Sequence, residues 1–325
     1  MSRVLITGGS GFIGTNLVDH YLRLGHTVCT IDVVPPKIPE HVPHYRAVSV
    51  RDLRAITQTI AAFSPEIVFH LGARTDLRGR SLTDYADNVD GVANVVKVLN
   101  SIASVKRVVF ASSMLVCRLG YVPAADDDYC PTTVYGQSKA DGEKLIRRFA
   151  STTLPWLIVR PTSIWGPWFG PPYRDLFDAI RRGLYFQPKG IRVSRSYGFV
   201  LNSVHQLQKL AECSGNTLLG RTIYLADEHA IELGEWIRLI QLALGKRPMR
   251  EAPLALFRAA ALFGDALQAI GISGFPMASQ RLSNMLTEAL YDTRPIHSVA
   301  GPDPYSVEDG VRLTCEWLAD QRLAS

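Results

Sequence analysis

Arg3-Val4-Leu5-Ile6-Thr7-Gly8-Gly9-Ser10-Gly11-Phe12-Ile13-Gly14 opens the chain as an apolar, strand-like run that passes straight into glycines and then into helical spacing. Each glycine has its own task. Gly8 allows a tight turn, Gly11 lets backbone approach a pyrophosphate, and Gly14 lets helix pack on strand. The helix that follows points free N–H groups and the positive end of its dipole at the phosphates. No Lys-Ser or Lys-Thr pair comes after the loop, which excludes a nucleotide triphosphatase loop. The stretch reads as the first βα turn of a dinucleotide-binding α/β unit.

Outward from it, short β-branched runs alternate with helical patterns through the first half of the chain. Strands are predicted over Arg3 to Thr7, Thr27 to Asp32, Tyr45 to Val50, Ile67 to Leu71, Arg107 to Ser112 and Trp156 to Arg160, with helices over Phe12 to Leu24, Leu53 to Phe63, Ser81 to Ala103 and Val134 to Ala150. Most of the strands are nearly continuous apolar runs, as in a parallel sheet buried on both faces. The predicted fold is a Rossmann-like, doubly wound parallel sheet over residues 1–160. Pro161, Gly166, Pro167, Gly170, Pro171 and Pro172 then break the rhythm and open a smaller α/β substrate-binding region over 161–325. That region should hold helices at Asp175 to Arg182, Ser203 to Cys213, Ile231 to Leu244, Leu254 to Ile270 and Ser306 to Ala319. Strands are expected near Ile191 to Val200 and Arg221 to Ala226, with some return of the chain to the sheet.

Asp32 ends the second strand, eighteen residues past Gly14, where a carboxylate can accept from both ribose hydroxyls of NAD and would repel a 2′-phosphate. Asp52 either meets the adenine amine or caps the helix that follows it.

With 325 residues, 47% hydrophobic and 20% charged, the chain can bury one large core or two modest ones, and disorder is excluded. The formal charge is +5, but no basic run exceeds two residues. This argues against a nucleic-acid partner and suits an anionic small substrate. Cys29, Cys117, Cys130, Cys213 and Cys315 are far apart and odd in number, so neither a disulfide framework nor a zinc site is expected, and the histidines show no metal-ligand spacing. Met1 leads directly into the apolar run without the features of a signal peptide, and a cytoplasmic location is expected. Pro253 to Ile270 is the most apolar segment, yet it carries Arg258 and Asp265 and is too short to span a bilayer. It reads as a buried or dimer-facing helix, with a membrane surface as the alternative.

Tyr135 and Lys139 are four residues apart on a predicted helix and so share a face. Ser112 and Ser113 end the preceding strand, at the edge where open α/β sheets bind ligands. A phenol is a poor base at neutral pH, but a lysine ammonium beside it and a cationic nicotinamide nearby would favour phenolate. Ser113 would then bond the same substrate oxygen, and Lys139 would also hold the nicotinamide ribose.

The glycine loop, Asp32, Ser112-Ser113 and Tyr135-Gly136-Gln137-Ser138-Lys139 together resemble the extended short-chain dehydrogenase/reductase family, and more narrowly its nucleotide-sugar epimerase/dehydratase branch. His70-Leu71-Gly72-Ala73, Asn88-Val89-Asp90-Gly91 and Arg160-Pro161-Thr162-Ser163-Ile164-Trp165-Gly166-Pro167 match further motifs of that branch, and weaker similarity continues through Asp292-Thr293-Arg294 and Ser306 to Trp317. The resemblance implies bound NAD in contact with Gly8, Gly11, Phe12, Ile13, Gly14, Asp32, Asp52, Leu53, Leu71, Gly72, Ala73, Asn88, Ala111, Tyr135, Lys139 and Pro161. It also implies a nucleoside-diphosphate sugar held by Ser113, Tyr135, Ser163, Arg195 and, more loosely, Arg281. A homodimer paired through Ser81 to Ala103 and Val134 to Ala150 is implied as well.

The chain departs from the branch at Met114-Leu115, which stand where dehydratases carry an Asp-Glu acid and base; neither can move a proton, which argues against a 4,6-dehydratase. Val116-Cys117-Arg118, Ser163 and Arg195-Ser196 also differ from the usual residues. The reading is an NAD-dependent epimerase with Tyr135 as general base. Its rivals are a ketoreductase or dehydrogenase on a keto sugar or a sterol-like alcohol, and a silent NAD-binding protein.

Overall fold

The computed structural model describes residues 1–213, 218–248, 250–271, 275 and 277–323. Strands β1 (Arg3–Thr7), β2 (Thr27–Asp32), β3 (Tyr45–Ala47), β4 (Ile67–His70), β5 (Arg107–Ala111) and β6 (Trp156–Pro161) alternate with helices α1 (Phe12–Arg23), α2 (Leu53–Phe63), α3 (Val92–Leu99) and α4 (Val134–Phe149). There follow β7 (Ser163–Trp165), α5 (Tyr173–Arg181), β8 (Phe186–Pro188), β9 (Ser194–Arg195), β10 (Tyr197–Phe199), α6 (Val200–Glu212), β11 (Thr222–Leu225), β12 (Ile231–Glu232), α7 (Leu233–Ala243), β13 (Arg250–Ala252), α8 (Leu254–Ala269), α9 (Ser279–Leu286), α10 (Arg294–Ala300) and α11 (Val307–Leu323).

Seven strands form one parallel sheet in the order β11-β6-β5-β4-β1-β2-β3. The chain winds outward from β1 to β3, then crosses to β4 on the other side of β1. The strand order therefore reverses between β1 and β4, the place where such sheets open a ligand crevice. Register puts the working ends on one edge: Thr7 lies opposite Ile31 and His70, and Ala111 opposite Val159.

One face of the sheet buries Leu17 and Val18 of α1, Val204 and Leu207 of α6 and Ile296 of α10. The other buries Ile56 and Ile60 of α2, Val95 and Val96 of α3 and Ile146 of α4. The second half thus returns to the sheet with β11, α6 and α10, across the sequence break at Arg160. A separate aromatic core joins Trp165, Phe177, Phe199 and Trp236 to Val311 of α11.

Four predicted elements need correction. The strand expected to reach Val50 ends at Ala47, where Val48 N–H donates to the carbonyls of Asp32 and Arg46. The helix expected over Ser81 to Ala103 is broken into a 3-10 turn (Leu82–Tyr85), a π turn (Asp87–Gly91) and α3. The helix expected from Ile231 begins at Leu233, because Ile231 and Glu232 pair antiparallel with Arg195 and Ser194. Sequence also missed β7, β8, β13, α9 and α10. Finally, α8 is not a buried helix: only Phe257, Ala261 and Gly264 of its residues are buried.

Candidate active site

The crevice is built by contact between β1 and the loop after β4. Gly8 has φ of 73°, and a Cβ there would lie 2.7 Å from the backbone of Leu71 and Gly72. Gly14 sits beneath Gly8, where a Cβ would come 2.0 Å from the Gly8 carbonyl oxygen. Gly11 is different: it is exposed, and its Cβ would meet only the Gly8 oxygen, at 3.2 Å. Behind the loop, Thr7 Oγ1 lies 2.7 Å from His70 Nδ1 and accepts from Gly72 N–H at 3.0 Å. Burial, reinforced by the Lys139 charge, lowers His70 to about 3, so it is neutral and structural.

α1 begins without a side-chain cap and without an acid in its first turn, so the first N–H groups beside half-buried Phe12 and Ile13 face the crevice mouth unneutralised. Half-buried Asp32 accepts from Ser10 N–H at 3.0 Å and Val34 N–H at 3.1 Å. Its carboxylate is thus fixed against the glycine loop. An open glycine backbone, an uncapped helix end and a fixed acid at the end of β2 together fit a dinucleotide. Asp52 caps α2, accepting from Ala55 N–H at 2.9 Å, with Leu53 opening α2 behind it.

Beyond β4, three side chains meet at the end of β5. α4 starts at Thr133, whose hydroxyl accepts from Gly136 N–H, and it presses so closely on the preceding loop that a Cβ on Gly136 would lie 2.1 Å from the Leu115 oxygen. This approach brings Tyr135 to Ser113. Burial pushes the Tyr135 phenol up to about 12, and the Ser113 hydroxyl beside it acts in the opposite direction. One turn on, Lys139 donates to the Ala111 carbonyl at 2.9 Å; burial lowers it to about 8, against the pull of Glu143. Met114 and Leu115 follow Ser113 in a short 3-10 turn.

Asn88, expected from the resemblance as a cofactor contact, and Tyr85, Tyr129 and Glu143, which sequence reading passed over, hold this set in place. Asn88, fully buried in the π turn, accepts from Arg74 N–H and donates to the Arg74 carbonyl and to Ser138 Oγ, which donates to the Tyr135 carbonyl. Tyr85 packs its ring 5.9 Å from that of Tyr135. One turn past Lys139, buried Glu143 receives Arg160 Nε at 2.9 Å and Nη2 at 2.8 Å, and Tyr129 also donates to it. Arg160 in an otherwise apolar strand was the signal that a buried acid had to exist.

The substrate-region candidates divide. Ser163, buried on β7, faces the Tyr173 hydroxyl, and Arg195 lies among Tyr173, Tyr185 and Tyr197, whose phenols burial raises and its charge lowers. The Arg195 guanidinium donates to the carbonyls of Thr287 and Asn284 at the end of α9. Arg281 stands exposed on that same helix. Ala73 and Pro161 are half-buried at the ends of their loop and strand.

A glycine crevice at the strand-order reversal, flanked by a serine, tyrosine and lysine, defines an extended short-chain dehydrogenase/reductase. The sequence pattern of the NAD dependent epimerase/dehydratase family matches residues 4–189, and the chain belongs to that family. It is 28% identical over 265 residues to a 3-beta-hydroxysteroid dehydrogenase of Mycolicibacterium neoaurum, covering 76% of this chain and 71% of the relative. It is 25% identical over 322 residues to the N-acetyl-alpha-D-glucosaminyl-diphospho-ditrans,octacis-undecaprenol 4-epimerase of Escherichia coli O157:H7, covering 97% and 94%. The fold matches the UDP-glucose 4-epimerase of Thermotoga maritima with UDP-glucose, at a TM-score of 0.76 and 19% identity, covering 98% and 99%.

Proposed function

We propose that the protein is an NAD-dependent epimerase of a nucleoside-diphosphate sugar, working through a transient keto sugar. The reading rests on one observation: Ser113, Tyr135 and Lys139 converge at the end of β5, the strand next to the β1–β4 crevice. Gly8, Gly11 and Gly14 with the start of α1 would hold the cofactor pyrophosphate, Asp32 its adenosine ribose, and Lys139 its nicotinamide ribose. NAD, when bound, supplies a reversible hydride acceptor and a positive ring. Tyr135 takes the proton from a sugar hydroxyl, and Ser113 bonds the same oxygen and keeps it aligned. After the keto sugar turns over, Tyr135 returns the proton to the oxygen as the opposite face is reduced. The family resemblance and the full-length similarity to two sugar 4-epimerases support this reading. Met114 and Leu115 offer no acid or base for a 4,6-dehydration. A homodimer through α3 and α4 accompanies the proposal; sedimentation as a monomer at micromolar concentration contradicts that part.

A second reading, a dehydrogenase of a secondary alcohol that exchanges its cofactor each turnover, is favoured by two observations. One is the similarity to 3-beta-hydroxysteroid dehydrogenases; the other is that the half-buried Arg195 guanidinium already donates to carbonyls at the end of α9. The two readings separate in one assay. The protein is incubated with UDP, dTDP, GDP and CDP sugars and with a 3-hydroxysteroid, with and without added NAD. Products are identified by NMR while absorbance follows NADH. Inverted sugar without net NADH supports the epimerase; accumulating NADH with a ketone product supports the dehydrogenase.

A further inference from the structure

We propose that α8 docks the protein flat on an anionic lipid bilayer. Leu256, Ala259, Phe263, Ala266 and Ile270 recur at helical spacing, and all five are exposed, with Leu262 beside them. Leu256 is 61% exposed, Leu262 67%, Phe263 56% and Ile270 71%. These are large apolar side chains on one continuous face, a concentration that soluble surfaces avoid unless something covers it.

The helix is fixed by its opposite side. Phe257 and Ala261 pack with Leu282 of α9, and Gly264 runs so close to the following segment that a Cβ would meet the Met277 oxygen at 1.8 Å. The apolar face therefore cannot turn inward without dismantling this contact. Sixteen residues make a helix about 24 Å long. Among the described residues no helix is long and apolar enough to cross a membrane, so insertion end-on is not the use of this one. A helix of this shape lies in the plane of the interface.

Charge selects the occupant. From Gly245 to Leu286 the chain carries five basic side chains, Lys246, Arg247, Arg250, Arg258 and Arg281, against Glu251 and Asp265. All five are exposed, and the half-buried Asp265 is turned back to accept from Ser279 N–H at 3.0 Å. Arg258 borders the apolar face on its own helix; Lys246, Arg247 and Arg250 precede α8 in the chain, and Arg281 lies on α9, which packs against α8. A second copy of the same face would set these cations against their own kind, since a two-fold contact pairs a patch with itself. Anionic headgroups around an apolar interior complement both features at once.

The test uses the purified full-length protein and flotation with vesicles. Wild-type protein should float with phosphatidylglycerol/phosphatidylcholine vesicles, less so as salt is raised, and stay behind with phosphatidylcholine alone. Leu262→Glu/Phe263→Glu, both exposed, should keep the wild-type circular dichroism and lower the bound-to-free ratio by at least about tenfold. Lys246→Glu/Arg247→Glu should remove the preference for anionic vesicles. The proposal is overturned by wild-type protein that does not float, or by variants that float as wild type does. It is equally overturned by a wild-type dimer that ignores vesicles and that Leu262→Glu/Phe263→Glu splits, since a second copy then covers the face.

Discussion

Gly14→Ala and Gly11→Ala, two methyl groups three residues apart, should do opposite things. At Gly14 the new Cβ would lie 2.0 Å from the Gly8 oxygen and 2.9 Å from Gly9 Cα. Against ordinary contact distances the first is more than about 1 Å too short, and both neighbours are backbone held by the sheet. The junction must open, at a cost of about 3 kcal/mol. For a chain of this length, at about 2 cal/mol/K per residue, that lowers the melting temperature by about 4 °C. Gly11 has φ of −72° and ψ of 178°, which any residue adopts, and its Cβ would meet only one oxygen at 3.2 Å. Gly11→Ala should therefore melt within about 1 °C of wild type. It should nevertheless weaken NAD by at least about tenfold, about 1.4 kcal/mol, because the methyl stands where the pyrophosphate approaches. Thermal unfolding by circular dichroism and NAD titration by calorimetry measure the two effects. A Gly14→Ala protein as stable as wild type, or a Gly11→Ala protein that binds NAD unchanged, refutes the division of roles.

Other consequences can be measured directly. Because burial lowers Lys139 to about 8, its charge is lost as pH rises through that value, and turnover should fall above it; Glu143 opposes the lowering, so Glu143→Gln should move this limb to lower pH in a pH–rate profile. Glu143→Leu leaves the buried guanidinium of Arg160 without its partner and should cost about 3–5 kcal/mol in urea unfolding. Burial and Asp303 raise Asp227 to about 8, so the folded chain holds a proton that the unfolded chain releases near pH 4. The contribution of this group to stability is complete below about pH 4 and declines as pH rises through 8. Asp227→Asn should accordingly raise the melting temperature at pH 8 and have a smaller effect at pH 5.

The sheet and crevice were legible in sequence because their signals are local: apolar runs of strand length, a glycine loop between strand and helix, and tyrosine and lysine one turn apart. Where distant parts of the chain decide a conformation, local pattern failed. Apolar periodicity in Ser81 to Ala103 suggests one helix, yet Asn88 is drawn to the Arg74 backbone and Ser138, and a Cβ on Gly91 would lie 2.6 Å from Val50 Cγ2. The segment therefore takes a π turn. The two-residue strand at Ile231 exists only because Ser194 and Arg195 lie beside it. Arg195 shows the same limit at the site. The family resemblance implied a diphosphate partner for it, and no sequence pattern revealed that the carbonyls of Asn284 and Thr287 also lie within its reach. Likewise α8 is apolar enough to read as a buried or dimer-facing helix, but its burial within this chain depended on whether another element covers its outer face.

Tyr135→Phe is to be compared with wild type in the nucleotide-sugar panel, each loaded with NAD and shown to bind it equally. Wild type should invert the sugar at one carbon, and the variant should lose turnover by at least about a hundredfold, the scale of general acid–base catalysis. Undiminished turnover by Tyr135→Phe contradicts Tyr135 as the general base.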